Sequence, residues 1–320
     1  MKILFIDTTH PYLQSSLEKE GHICIDGTNL SREEILKSIH QYDGAAIRSR
    51  ITFNKEMIDA ATNLKFIARA GAGMESIDVK FAESKGIACI NSPEGNRDAV
   101  GEHAIGMLLM LFDKLNKADR EVRESKWIRE ANRGVELQGK TVGIIGYGNM
   151  GSAFARKLQG FEVSILAYDK YKKGYGNKEI RESALEEIFA NTDILSLHIP
   201  LTAETEYMVN DGFINRFKKN IYIVNTARGK CLKTDDLVKN VKEGKVLGAC
   251  LDVIEYEDTS FEKFAIQNSQ FEKSETWQYL INSDKVVLSP HIAGWTFESS
   301  EKIARVLFEK IKARFFLTSL

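Results

Sequence analysis

Residues 141–169 hold the feature that most constrains the fold. An apolar run, Val142 to Ile145, ends in Gly146-Tyr147-Gly148-Asn149-Met150-Gly151, and a helical stretch, Ser152 to Leu158, follows at once. A second apolar run ends at Asp169, 18 residues past Gly151. Glycine-rich turns are common, and G-x-G-x-x-G alone says little. Set between strand and helix, with an acid after the next strand, it describes one kind of βαβ unit. The glycines permit a tight turn and close backbone approach to a pyrophosphate. The helix N-terminus adds N–H groups and positive potential. A carboxylate at 169 hydrogen-bonds a ribose diol and repels a 2′-phosphate. Gly146, Gly148, Asn149, Met150, Gly151 and Asp169 are therefore the expected dinucleotide site, and NAD is the expected cofactor. Lys170, Lys172 and Lys173, just beyond Asp169, soften the preference over NADP.

The same alternation runs through the chain. Short β-branched runs such as "KILFID", "HICID", "GAAIRS", "LKFIARAG" and "IACINS" are bounded by turn residues and separated by amphipathic stretches. That pattern predicts a parallel α/β domain over roughly 1–98. A helix is expected over 99–127. From "GKTVGIIGYGNMG" the alternation restarts, through "EVSILAYD", "TDILSLHIP", "NIYIVNTARG", "KVLGACLDV" and "KVVLSPHIAG", as a second parallel sheet. The final stretch has Ile303, Val306, Leu307 and Ile311 at helical spacing. It is expected to return to the first domain. The predicted division is 1–98 with 296–320, and 99–295.

Composition removes several classes. Lys plus Arg total 44 against 45 Asp plus Glu, a formal net charge of −1. A nucleic-acid partner leaves a basic excess, which is missing here. No run approaches the ~20 apolar residues of a membrane span, so no membrane partner is expected. Cys24, Cys89, Cys231 and Cys250 lack metal-ligand spacing, and no metal site is expected. Buried thiols and a reducing cytoplasm are the simplest reading.

Ligands of open α/β sheets bind off the carboxyl ends of strands. In the second domain Arg228 follows "IYIVNTA", Asp252 and then Glu257 follow "LGACL", and His291 follows "VVLSP". Each alone is an ordinary surface or structural residue. Gathered on the rim that carries a nucleotide motif, they suit redox chemistry at a hydroxyl or carbonyl carbon. A histidine moves the hydroxyl proton, an acid orients it, and an arginine grips a carboxylate. His10, His22 and His40 have no such setting.

These residues resemble the D-isomer-specific 2-hydroxyacid dehydrogenase family. "IARAGAGMESID", "GKTVGIIGYGNMG", "LHIPLT", "VNTARG", "LDVIEYE" and "SPHIAGWT" occur in its order and approximate spacing. The resemblance implies two doubly wound parallel-sheet α/β domains, a flavodoxin-like substrate domain and a Rossmann NAD-binding domain, with a cleft between, in a homodimer. It implies a catalytic set of Arg228, Glu257 and His291. Asp252 is similar to the residue facing the nicotinamide carboxamide, and Ile199, Thr226, Ala227 and Gly294 fall where the family lines the cofactor. Two features depart from the pattern. Asp258 stands where the family usually has proline, and the segment from Glu257 to His291 is 34 residues long, with the aromatic-rich stretch 259–280. That stretch is read as a packed surface insertion.

Arg48 and Arg69 each end an apolar run of the first domain, 21 residues apart. "AAIRSR" and "FIARAGAG" resemble the branch of D-3-phosphoglycerate dehydrogenases. Glycines at 71 and 73 let the backbone from Gly71 through Ala72 and Gly73 to Met74 hold a carboxylate. Arg48 and Arg69 then remain for a substrate phosphate. Ion pairing to Glu75 or Asp78 is the bland alternative for them. Arg129 is a more distant candidate, reaching a neighbouring subunit's substrate. The expected function is NAD-dependent oxidation of D-3-phosphoglycerate to 3-phosphohydroxypyruvate, in serine biosynthesis. The alternatives are the same chemistry on glyoxylate, hydroxypyruvate or 4-phosphoerythronate, and an NAD(H)-sensing binding protein. With the chain ending at Leu320, feedback through a C-terminal regulatory domain is not expected.

Overall fold

The computed structural model describes residues 1–257 and 273–316. Asp258 and the aromatic stretch as far as residue 272 lie outside the described residues. Two compact units emerge. One is Met1–Asn96 joined by the residues from Trp295 onward, and the other runs from Arg97 to Gly294. The division falls inside the helix Pro93–Phe112.

The first unit is a five-stranded parallel sheet in the order β2-β1-β3-β4-β5. Its strands are β1 (Lys2–Phe5), β2 (Ile23–Asp26), β3 (Gly44–Ile47), β4 (Phe66–Arg69) and β5 (Ala88–Asn91). β3 and β4 are buried along most of their length, as strands covered on both faces must be. One core layer gathers Leu4, Ile35, Ile47, Phe53 and Ile67. The other pairs Ile3, Phe5, Phe66 and Ile90 with Ala304, Leu307, Phe308 and Ile311 of the helix Phe297–Phe315. That helix starts with a capping box in which Thr296 and Ser299 exchange hydrogen bonds at 3.0 Å. Lys310 fastens it to Glu94 at 2.8 Å and to the Asn91 carbonyl at 2.9 Å.

The second unit is a seven-stranded parallel sheet in the order β12-β11-β10-β9-β6-β7-β8. These are β6 (Thr141–Ile145), β7 (Ser164–Tyr168), β8 (Ile180–Glu182), β9 (Ile194–Leu197), β10 (Ile221–Asn225), β11 (Val246–Leu251) and β12 (Val286–Leu288). The order reverses direction at β6, a topological switch point. Together the two sheets confirm the α/β, doubly wound class.

The helix expected over 99–127 is two helices. Pro93–Phe112 stops, Lys114 turns left-handed at φ 51°, and Leu115–Arg123 resumes. The break has a visible partner, because the Val135 N–H donates to the freed Phe112 carbonyl at 3.1 Å. Among the described residues, no helix is long and apolar enough to cross a membrane.

Candidate active site

The three spaced glycines of the β6 loop do different work. Gly146 sits at φ 93°, and a Cβ there would overlap the His198 carbonyl. Gly151 lies in the first turn of the helix Asn149–Leu158, where a Cβ would collide with the Gly146 carbonyl. Close helix–strand packing therefore requires glycine at both. Among the described residues, a Cβ on Gly148 would meet nothing within 4 Å. Gly148 is also the N-cap, with no side chain capping the helix and no acid in its first turn. An open face over unsatisfied N–H groups is the cradle a pyrophosphate fills. Asn149 and Met150 are the first two residues of that helix.

Asp169 follows β7. Its carboxylate accepts from the Tyr147 N–H at 2.8 Å and from the Tyr171 and Lys172 N–H groups at 2.9 Å. Burial works against its ionisation, yet these three donors and the Lys172 charge hold its carboxyl below the usual range. The nearby lysines are committed: Lys170 pairs with Glu204 at 2.6 Å, and Lys172 donates to the Tyr147 carbonyl at 3.3 Å. Of the other expected lining residues, Ile199 packs beside Gly146. Thr226 keeps a buried hydroxyl without a hydrogen-bond partner among the described residues. The residues present fit a dinucleotide.

Register puts Asn225 beside Leu251 and Leu251 beside Leu288, so Arg228, Asp252 and His291 follow three adjacent strand ends. Buried Asn225 braces the Arg228 turn, donating to the Arg228 carbonyl and accepting from the Ala227 N–H, both at 3.1 Å. The Arg228 guanidinium donates to the Ala227 carbonyl at 2.6 Å. Gly229 lies so close to the Ile254 carbonyl that no side chain fits there.

Glu257 and His291 meet. The Glu257 Oε2 is 2.6 Å from the His291 Nδ1, while its Oε1 accepts the Ile254 N–H at 2.6 Å. His291 itself is left-handed at φ 55°, an uncommon setting for a non-glycine residue. Asp252 holds that loop. It is 1% exposed, and its carboxylate accepts the N–H groups of Ile292 and Ala293 at 2.9 Å and the Ser289 hydroxyl at 2.6 Å. His103, on the long helix, reaches Ser289 at 2.9 Å. Burial works against ionisation of Asp252, but His103, Ser289 and the two N–H groups keep its carboxyl below the ordinary range.

Sequence reasoning missed His103, Asn225 and His198. His198 follows β9, so the strand-end rule that reached His291 extends to it. It is partly buried under the glycine loop, against Phe154 and Ser196, and desolvation of its ring pulls its pKa down to about 3. It is a neutral packing residue.

In the first unit Ile47 pairs with Arg69, which sets Arg48 and Arg69 on neighbouring strand ends. Their guanidiniums are engaged differently. Arg48 rests over the Trp295 ring, 4.3 Å from its centroid. Arg69 folds back toward the Ala70 carbonyl at 3.5 Å and fills the space a Cβ on Gly71 would take. The glycine at 71 therefore clears room for Arg69 itself. The Gly71 N–H is also engaged, by the Arg69 carbonyl at 2.9 Å and Ser92 Oγ at 3.2 Å. Arg129 is exposed, ahead of the short turn Glu130–Asn132.

The chain is similar to several known proteins. A D-3-phosphoglycerate dehydrogenase of Archaeoglobus fulgidus is 33% identical over 97% of this chain, which spans only 56% of that relative's length. A hydroxypyruvate reductase of Thermotoga maritima is 35% identical, covering 90% of this chain and 89% of its own. A D-lactate dehydrogenase of Aquifex aeolicus, solved with NAD and lactic acid, superposes with a TM-score of 0.79 at 26% identity over 98% of this chain and 95% of its own. The model of the D-isomer specific 2-hydroxyacid dehydrogenase NAD binding domain matches residues 105–293. The chain therefore belongs to the D-isomer-specific 2-hydroxyacid dehydrogenase family, and its second unit carries that family's NAD-binding domain.

Proposed function

We propose that this protein oxidises D-3-phosphoglycerate to 3-phosphohydroxypyruvate with NAD, as a step of serine synthesis. NAD, when bound, supplies the hydride acceptor. Glu257 holds the Nδ1 side of His291, and Nε2 is assigned to take the C2 hydroxyl proton. As that ring becomes cationic, the carboxylate at 2.6 Å stabilises it. Arg228 grips the substrate carboxylate and polarises the developing carbonyl. Ala72 and Gly73 add backbone donors, and Arg48 and Arg69 are assigned to the phosphate.

The observation carrying the phosphate assignment is Arg48. It follows β3 directly, beside the strand of Arg69, and among the described residues no carboxylate pairs with its guanidinium. The second reading, reduction of hydroxypyruvate or glyoxylate, draws on the Thermotoga maritima relative, which the chain matches over nearly its full length.

A homodimer is part of the proposal. Leu115, Val122, Trp127 and Ile128 leave apolar surface exposed on and just after one helix, as a subunit contact requires. The four free cysteines suit a reducing cytoplasm.

The test is NADH oxidation with 3-phosphohydroxypyruvate, hydroxypyruvate, glyoxylate and 2-oxo-3-hydroxy-4-phosphobutanoate. Preference for the first supports the proposal. Preference for an uncharged-tail acid overturns the phosphate role and keeps the catalytic set. NADH binding without turnover favours a sensor.

A further inference from the structure

Arg48 and Arg50 stand two residues apart after β3 and have opposite surroundings. Arg50 is tied down: its guanidinium lies 3.4 Å from Asp7 Oδ1 and donates to the carbonyls of Leu30 at 2.8 Å and Gly27 at 3.2 Å. The other Asp7 oxygen accepts the Arg48 backbone N–H at 2.5 Å. Asp7 thus fixes the root of Arg48 while its charge is shared with Arg50. The Arg48 guanidinium rests instead on the uncharged face of Trp295.

Trp295 is 64% exposed, so burial does not explain an indole there. Its backbone is nonetheless held. Thr296, the next residue, caps the helix Phe297–Phe315, and Gly95 lies against the Ile303 backbone of that helix with no room for a Cβ. A platform with a fixed base therefore meets an arginine with a fixed root. A guanidinium on a π face keeps its in-plane N–H donors for another partner. The place fits a ligand as well. The sheet order reverses between β1 and β3, and Asp7 and Arg48 follow those two strands. Ligands of such sheets bind at that reversal.

We infer that Trp295 is a specificity-determining residue: it holds the Arg48 guanidinium for the phosphate at the far end of a short 2-hydroxy acid. This rests on the assignment of Arg48 above. The platform adds selectivity without adding charge, because it acts only on substrates whose tail reaches Arg48.

The test compares Trp295→Ala, Trp295→Phe and Arg48→Ala in the full chain. KM and kcat are measured for 3-phosphohydroxypyruvate and hydroxypyruvate, and calorimetry follows binding of 3-phosphoglycerate. Trp295→Ala is expected to raise the KM for the phosphorylated acid and the Kd for 3-phosphoglycerate about two- to fivefold. The hydroxypyruvate KM, both kcat values and the thermal midpoint stay near those of the native protein. Trp295→Phe recovers most of the loss. Equal loss on both substrates, or none, overturns the platform while Arg48→Ala still selectively weakens the phosphorylated acid. If Arg48→Ala leaves the phosphorylated acid unaffected, or the native protein does not bind 3-phosphoglycerate, the Arg48 assignment itself falls, and the platform with it.

Discussion

Asp252 and His291 are joined through the backbone. The His291 N–H donates to the Asp252 carbonyl at 2.7 Å, and the next two N–H groups close on the Asp252 carboxylate. One buried residue thereby fixes the left-handed turn that presents the imidazole. Ile292 uses Oδ1 and Ala293 uses Oδ2, so Asp252→Asn must face one N–H with an amide NH2. The variant should lose about 1–3 kcal/mol of stability and also lower kcat. Calorimetry and steady-state kinetics on the same preparation decide it. A lower midpoint with native kcat would make Asp252 a fold residue only.

The Glu257–His291 contact predicts a split between chemistry and binding. His291→Ala should cut turnover by about 10²–10⁴-fold while NADH titration stays close to native. Glu257→Gln keeps an oxygen for the Ile254 N–H but loses the charge facing Nδ1. It should lose roughly tenfold or more in kcat. Unchanged turnover in His291→Ala would remove the histidine from the mechanism.

Gly148 and Gly151 should respond oppositely to the same methyl group. Gly148 has φ −83° and open space, so alanine there is accommodated by the fold. Its thermal midpoint should stay native while NADH affinity drops. Gly151→Ala must displace the Gly146 carbonyl, and should cost about 1–3 kcal/mol as an overpacking change. Native NADH affinity in Gly148→Ala would show that nothing approaches the loop at that point.

His198 predicts the acid limb of stability. Its folded pKa, about 3, lies below the ordinary value of 6.5. Between those values the unfolded chain binds the extra proton, so stability is full above about 6.5 and falls as pH drops toward 3. The contribution has a slope of up to ~1.4 kcal/mol per pH unit. Urea midpoints for native protein and His198→Gln, measured from pH 4 to pH 7, should converge as pH falls. Parallel curves would show that His198 is not held neutral.

The parallel architecture was legible because its signals are local. Glycines, strand runs and strand-end polar residues lie within a few positions of what they govern, and the strand-end rule reached both His291 and Glu257. The return of the last helix to the first sheet was also legible, but individual side-chain partners across long separations were not. His103 meets Ser289 over 186 positions, and no periodicity on the long helix marks that contact. Asn225 looked like one more strand residue, since its bracing role depends on the turn that Arg228 adopts. Gly71 was read as room for a ligand, whereas the occupant is the side chain of Arg69, two residues earlier.

The return of the helix Phe297–Phe315 sets a schedule for biosynthesis. Lys310 docks on Asn91 across 219 positions, and Leu307, Phe308 and Ile311 complete a core begun by Ile3 and Phe5. At ribosomal speeds of about 5–20 residues per second, that interval lasts on the order of 10–45 s. During it the nascent first sheet has one apolar face uncovered. The second sheet, whose strands all lie inside that interval, can fold while the first still waits for its last helix.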